Sequence, residues 1–432
     1  MNKTFGIRRE DKNKWERRVP LIPKQVKELK EKNNLDIFVQ PSPIRIYSNE
    51  EYRIIGANVQ EDLSSCPIVF AVKEIPINFF KPGGVYIFFS HTIKGQKYNM
   101  PMLQKMIDLG CTLIDYEKIV DKMGRRLVFF GKFAGLAGMV DTLWAFGQRL
   151  KFEGEETLFS EIKKTISYRD LDDIKTQIKE IGKKIEKNGF SKAVSPVVVG
   201  FAGYGNVSLG AQEILDLLPV KVVSPKDIKN IFDSPSNKCI YKVVFKEEDM
   251  VKPISSENCF ELQDYYKNPE KYEGFFEEFI PCLSILMNCI YWDERYPRLI
   301  TKEFFKKQSV DNIRLKVIGD ISVDINGAIE FTEKSTDPDN PVFLYDQKND
   351  SVIDGFEGNG IVVMAVDNLP CELPKESSKA FGESLLSFIP NIVKADFNVN
   401  FEDLELPFEI KNAVILHRGK LTLDYEYINK YL

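Results

Sequence analysis

The feature that most constrains this chain is a glycine loop set between a strand and a helix. Pro196 opens the run Val197-Val198-Val199-Gly200-Phe201-Ala202-Gly203-Tyr204-Gly205-Asn206-Val207-Ser208-Leu209-Gly210. Its β-branched residues predict a buried strand, and Gly210-Ala211-Gln212-Glu213-Ile214-Leu215-Asp216-Leu217-Leu218 predicts a helix after the glycines. Gly203-x-Gly205-x-x-Ser208 is a variant of a dinucleotide loop, with serine in the third small position. Such a loop turns tightly and then lays backbone without side chains against a pyrophosphate. The helix N-terminus adds free N–H groups and a partial positive charge. Gly203, Gly205, Asn206, Val207 and Ser208 are therefore candidate cofactor-binding residues. The next expected strand, Val220 to Val223, ends at Ser224, where an acidic residue would take the ribose 2′-hydroxyl of NAD. Ser224 has no charge to repel a 2′-phosphate, and Lys221 and Lys226 lie near it in sequence. This favours NADP and leaves NAD open.

A chain of 432 residues has room for two or three domains, and 43% hydrophobic with 28% charged residues is globular composition. Its net charge of −5 excludes a general nucleic-acid binder, whose footprint is a clustered basic excess. There are two histidines, His91 and His417, far apart in sequence, so no metal site is expected. Seven cysteines form no CxxC pair, which points to reduced thiols in a reducing compartment. No apolar run approaches the roughly 18 residues of a membrane span. Met1 to Ile7 enters a strand at once, with no signal-like apolar region, so a cytoplasmic location is expected. Nothing in the pattern sets an oligomeric state.

The first third alternates strands (Phe5-Ile7, Asp36-Gln40, Pro67-Lys73, Val85-Ser90, Cys111-Tyr116) with helices (Pro23 to Lys32, Met100 to Leu109). That alternation predicts an α/β unit with a largely parallel sheet. Gly135-Leu136-Ala137-Gly138-Met139 leads a helix to about Leu150, whose small residues allow close approach of another backbone. Lys151 to Lys192 is rich in lysine and glutamate and reads as solvated helix faces. Further strands are expected at Val220-Val223, Tyr241-Phe245, Cys282-Ile290, Leu315-Asp320 and Ile361-Val366, with a polar, irregular excursion from Ser234 to Tyr272.

Several motifs then join. Arg8-Arg9-Glu10, Glu16-Arg17-Arg18-Val19-Pro20-Leu21-Ile22-Pro23, Ala71-Val72-Lys73-Glu74, Phe88-Phe89-Ser90-His91-Thr92 and Gly319-Asp320-Ile321-Ser322-Val323-Asp324 resemble signatures of the alanine dehydrogenase, transhydrogenase and saccharopine dehydrogenase superfamily. Trp15-Glu16-Arg17-Arg18, Leu113-Ile114-Asp115-Tyr116-Glu117-Lys118, the glycine loop, Cys289-Ile290-Tyr291-Trp292 and Asp367-Asn368-Leu369-Pro370 are similar to the lysine–2-oxoglutarate reductase unit of aminoadipic semialdehyde synthases. The resemblance spans most of the chain. It implies an α/β protein of two Rossmann-like domains with mostly parallel sheets and an active site in the interdomain cleft. The substrate domain would combine 1–132 with 345–432, and 133–344 would bind the dinucleotide. In animals and plants the unit is fused to a downstream saccharopine dehydrogenase. This chain ends at Leu432, so that second activity is expected to be absent.

The reaction so implied condenses the ε-amine of L-lysine with 2-oxoglutarate and reduces the imine to saccharopine. Lys73 matches the family's proton acceptor and His91 its proton donor. The lysine needs a depressed pKa, which burial or the cation of Arg18 would supply. Arg18 matches a substrate-carboxylate arginine, and Gln96, Arg126 and Phe130 match further substrate contacts. Glu117 is placed to meet an ammonium, and Asp324 to lie near substrate and nicotinamide. Arg125, Ile290, Tyr291, Asp320, Ile321 and Ser322 complete the cofactor set. Without the resemblance, the paired arginines and Lys73 read as solvated surface charges, and the Ile290 and Asp320 segments as core strand ends. The Lys151 to Lys192 stretch departs from the family pattern, as does Ser224. An NAD-dependent or other amino-acid imine reductase is the alternative enzyme. A non-catalytic amino-acid or nucleotide binder is the alternative outside catalysis.

Overall fold

The computed structural model describes residues 3–255, 257, 259–308 and 313–432. The chain divides into two units, 1–130 with 374–432, and 131–373. In the first, strands β1 (Thr4–Ile7), β2 (Asp36–Val39), β3 (Asn58–Val59), β4 (Ile68–Phe70), β5 (Val85–Phe88) and β6 (Thr112–Asp115) alternate with helices α1 (Pro23–Asn33), α2 (Asn49–Ile54) and α3 (Met100–Asp108). The parallel strands lie in the order β3-β2-β1-β4-β5-β6. This is the usual doubly wound order, with its switch point between β1 and β4. Every residue of β4, β5 and β6 is buried, because helices cover both faces of a parallel sheet.

The second unit begins with α4 (Gly131–Phe152) and α5 (Leu171–Asn188). On α5, Ile174, Ile178, Ile181 and Ile185 form the buried stripe and the charges face solvent, as the composition predicts. The strands are β7 (Val197–Ala202), β8 (Val220–Val222), β9 (Ile240–Phe245), β10 (Val251–Pro253), β11 (Tyr272–Gly274), β12 (Ile285–Asn288), β13 (Val317–Asp320), β14 (Val342–Asp346), β15 (Ser351–Asp354) and β16 (Ile361–Met364). α6 (Asn206–Leu215) follows the glycine loop. β10 and β11 pair by themselves, β10 within the stretch expected to be irregular and β11 at its end. The others form one sheet, β15-β14-β16-β13-β12-β7-β9-β8, parallel except where β14 meets β16 and β15. β17 (Val414–His417) and β18 (Lys420–Leu421) then extend the first sheet beside β6, both antiparallel.

The return to the first unit lies at Pro374, not near residue 345. The cause is pairing: β16 adds to β13 in parallel, and β14 and β15 complete that edge, so residues 345–373 belong to the second sheet. The sequence reading missed β14 and β15.

α4 is buried on nearly every side and touches α6 through glycines. A Cβ at Gly135 would land on the Val207 carbonyl, and one at Gly210 on the Lys132 carbonyl. The small residues therefore serve the close helix contact the sequence suggested.

Also on α4, the fully buried Asp141 lies against the carboxyl of Glu372 and accepts the Thr165 N–H at 2.7 Å. Burial raises both carboxyls, Asp141 to about 6, and their mutual repulsion keeps Glu372 protonated well above the ordinary range. Unfolded, each ionises near pH 4 (about 4 for free carboxyls). The folded state therefore binds more protons from about pH 4 to about 6 at Asp141 and beyond that at Glu372, and stability falls as pH rises through this range. Asp141→Asn keeps an acceptor for Thr165 and removes the charge. It should raise the melting temperature by about 3 to 5 °C at pH 8 and much less at pH 4.5. An equal gain at both pH values in scanning calorimetry would refute the assignment.

Candidate functional site

In the first unit, the expected site residues leave the C-terminal ends of four strands around the switch point, where doubly wound sheets bind ligands. β1 runs into Arg8-Arg9-Glu10, β4 into Ala71-Val72-Lys73, β5 into Phe89-Ser90-His91 and β6 into Tyr116-Glu117. Glu10, to which the sequence reading gave no role, is buried and clamps the β4 end. Its two oxygens accept the N–H groups of Val72 at 2.7 Å and Lys73 at 2.9 Å. Burial, with the charge of Glu16, pushes its carboxyl up to about 7.

Burial also lowers the Lys73 ammonium, and the neighbouring Arg18 cation lowers it further. Arg18 is itself buried. Its Nε and Nη2 donate to Glu16 at 2.7 and 2.5 Å, and its guanidinium lies 4.3 Å from the Phe130 ring centroid. Phe130 stacks in turn on Phe381 at 4.6 Å. The fork expected to hold a substrate carboxylate thus spends one edge on Glu16.

His91 is held in the left-handed region at φ 48°, a strained conformation for a non-glycine residue. Its flanks hold it there. Buried Asp115 accepts the Ser90 N–H at 3.1 Å and the Glu117 N–H at 2.8 Å, and the Ser90 hydroxyl bonds both Asp115 and Thr92. His91 Nδ1 lies 2.6 Å from Glu74 Oε1, so Nδ1 carries a proton there and Nε2 is the edge left for substrate. Burial would raise Glu74, but the hydrogen bonds and charges of His91 and Lys12 outweigh it and hold the carboxyl well below its ordinary range.

Of the other expected contacts, Glu117 and Arg126 pair with each other. Gln96 accepts the Lys94 N–H at 3.1 Å, and exposed Arg125 pairs with Asp121 at 2.7 Å in a local turn. The roles of Glu10, Glu16, Glu74 and Asp115 are missing from the sequence reading. Glu16 and Glu74 carried a signal in lying two residues from Arg18 and one from Lys73, whereas nothing near Glu10 or Asp115 in sequence pointed to their roles.

In the second unit, β7 turns at Gly203, whose φ of 95° demands glycine, and whose Cβ would press on Cys289 and Ile290. Gly205 precedes α6 with nothing within 4 Å of a Cβ position, and no side chain caps that helix. Open space over uncapped N–H groups of Asn206, Val207 and Ser208 fits a dinucleotide pyrophosphate. The neighbouring strand ends supply Ile290, Tyr291, Ile321 and Ser322. Ser322 donates to the Ile290 carbonyl at 2.5 Å, tying the two loops. Asp320 is buried and accepts from Asn288 at 2.9 Å and Thr332 at 2.7 Å, and burial raises it to about 6 despite those bonds. Asp324, half-buried, accepts the Gly327 N–H at its carbonyl, 2.9 Å, in the turn beyond β13. Ser224 leaves β8 at the far edge of the sheet, one strand removed from β7, because β9 intervenes. Its expected place at the ribose rested on β8 lying beside β7.

Among the described residues no group of His, Cys, Asp and Glu could hold a metal ion, and no helix is long and apolar enough to cross a membrane.

Over 99% of its length the chain is 38% identical to an alpha-aminoadipic semialdehyde synthase of Arabidopsis thaliana and 34% identical to the Bos taurus mitochondrial protein of that name. It spans 41% and 47% of those two proteins, less than half of each. A saccharopine dehydrogenase [NAD(+), L-lysine-forming] of Yarrowia lipolytica is 28% identical, with 88% of this chain and 90% of that one aligned. Among solved structures, an L-alanine dehydrogenase aligns over 99% of this chain and 98% of its own with a TM-score of 0.63 at 16% identity. A transhydrogenase from Sinorhizobium meliloti aligns over 97% of this chain and 100% of its own with a TM-score of 0.56 at 17% identity. Both show the same fold of two Rossmann-like domains. The alanine dehydrogenase/PNT N-terminal domain matches residues 6–137 and the C-terminal domain of the same family matches residues 293–424, so the chain belongs to the alanine dehydrogenase/PNT family.

Proposed function

We propose that this chain is a nicotinamide-dependent lysine–2-oxoglutarate reductase, forming saccharopine by reductive condensation. The observation that carries this reading is the pair of Lys73, lowered by burial and Arg18, and His91, oriented by Glu74, at adjacent strand ends. The full-length similarity to alpha-aminoadipic semialdehyde synthases supports the choice of substrates.

The lysine ε-ammonium must lose a proton before it can attack a keto carbon. A neutral Lys73 amine is the acceptor, and its lowered pKa makes that form more available than in a free lysine. The carbinolamine then loses its hydroxyl as water, which needs a proton at oxygen. His91 Nε2 delivers it, while Glu74 holds Nδ1–H and steadies the positive ring. Arg18, with one edge braced by Glu16, and Arg126, balanced by Glu117, supply the positive charge that tricarboxylate recognition needs. Asp324, in the turn beyond β13, is a candidate on the nicotinamide side of the second unit. A nicotinamide cofactor would be held by Gly203, Gly205, Asn206, Val207 and Ser208, with Ile290, Tyr291, Ile321 and Ser322 at its reactive end, and would supply hydride to the imine carbon. NADP is the cofactor the Ser224 reading favours, with NAD the alternative. The buried cysteines Cys66, Cys111, Cys282 and Cys371, none of them in a disulfide, fit a reducing setting such as the cytoplasm.

The test is oxidation of NADPH and of NADH, followed by loss of near-ultraviolet absorbance, with lysine and 2-oxoglutarate omitted in turn. Signal that requires both substrates is expected. Cofactor binding without turnover on this pair would move the reading to another amine and keto acid, or to a binding protein.

A further inference from the structure

In a dinucleotide-binding sheet, the strand beside the glycine-loop strand, away from the switch point, ends next to the adenosine ribose. An acidic side chain there accepts the 2′-hydroxyl, whereas cations accept a 2′-phosphate. In the usual order that neighbour is the next strand in sequence. Here it is the one after.

β9 pairs with β7 along its whole length, Val197 with Ile240 through Ala202 with Phe245. β8 is displaced to the edge and pairs with β9, Val220 with Ile240. Ser224 is thus one strand spacing, about 5 Å, farther from the loop, and its hydroxyl donates to Asp227 at 2.7 Å. The end of β9, by contrast, is hydrogen-bonded to the glycine turn itself: Gly203 N–H donates to the Phe245 carbonyl at 3.0 Å.

The residues that follow are Lys246-Glu247-Glu248-Asp249, one cation against three carboxylates. Lys246 and Glu248 point to solvent. Glu247 is half-buried and is fixed by the Tyr266 hydroxyl, which donates to its Oε1 at 2.7 Å. It also lies beside Tyr204, the side chain between the two loop glycines, and its charge raises that phenol.

We propose that Glu247 reads the adenosine 2′ position and selects the dinucleotide that lacks a 2′-phosphate. This rests on the reading of the second unit as a dinucleotide-binding domain, and it reverses the preference drawn from Ser224. The carboxylate accepts the ribose 2′-hydroxyl and repels a phosphate dianion at the same place.

The experiment is equilibrium binding of NADH and NADPH to the purified chain, read by cofactor fluorescence, with circular dichroism to confirm folding of each variant. The wild type should bind NADH at least about tenfold more tightly, since like charges brought together at a binding surface are strongly disfavoured. Glu247→Gln retains a hydrogen-bonding group and removes the charge. It should tighten NADPH about tenfold while changing NADH by less than about threefold. Glu247→Arg should reverse the preference. Binding of both cofactors with no response to either Glu247 variant overturns the proposal, as does an NADPH gain from Ser224→Arg that Glu247→Arg does not match. Binding of neither cofactor to the wild type overturns the dinucleotide-binding reading together with it.

Discussion

Lys73→Met should abolish turnover, lowering kcat by about 10²- to 10⁴-fold, while the affinity for nicotinamide cofactor stays within twofold (about the scatter of a binding titration). The substitution keeps a long, unbranched stem on the β4 end that Glu10 clamps through the Val72 and Lys73 N–H groups. What it removes is the only part that can take a proton. Because the ammonium is lowered by burial first and by Arg18 second, the base is the neutral form. The pH profile of kcat/KM should therefore rise with pH through the lowered Lys73 pKa as that form accumulates. Arg18→Gln withdraws the neighbouring charge, lets the Lys73 pKa climb, and should shift this limb to higher pH, alongside any rise in KM from a lost carboxylate contact. A limb that stays in place in the Arg18 variant would show that the electrostatic coupling is not used. Full turnover in Lys73→Met would remove the acid/base assignment altogether.

The second large effect is steric. Gly135→Ala should destabilise the second unit by about 3 kcal/mol or more, a fall in melting temperature of roughly 6 to 12 °C. The added methyl would coincide with the Val207 carbonyl and lie 2.7 Å from the Ala211 nitrogen, both backbone atoms of α6. No rotamer change can relieve that, so α6 must move off α4. With it goes the helix N-terminus that the glycine loop presents, and cofactor affinity should fall in parallel. Gly205→Ala is the informative counterpart. Its φ of −76° suits any residue, and its Cβ would meet nothing within 4 Å. The melting temperature should be unchanged and dinucleotide binding weakened, because the space that variant fills belongs to the ligand. A Gly135→Ala protein as stable as the wild type would mean the helices do not approach as described.

Local pattern carried much of this protein. The strand β7, the glycine turn and α6 are written in consecutive residues, since β-branched runs, a positive-φ glycine and helical periodicity are each decided within a few positions. The same holds for α1, α3 and α5, and for the strand ends that carry Lys73, His91 and Glu117. Tertiary structure decided what depends on partners distant in sequence. Whether β8 or β9 lies beside β7 is a matter of hydrogen-bond pairing across some 40 residues, and neither strand's own pattern specifies it. The reading of Ser224 needed β8 beside β7, and β9 takes that place instead. The return at Pro374 likewise depended on β16 choosing β13 as its neighbour. The site's polarity was settled the same way. Glu10, Glu16 and Glu74 sit in ordinary charged sequence, and their roles as clamp, brace and histidine partner exist because burial removes water and leaves each carboxylate only the donors that the fold brings to it.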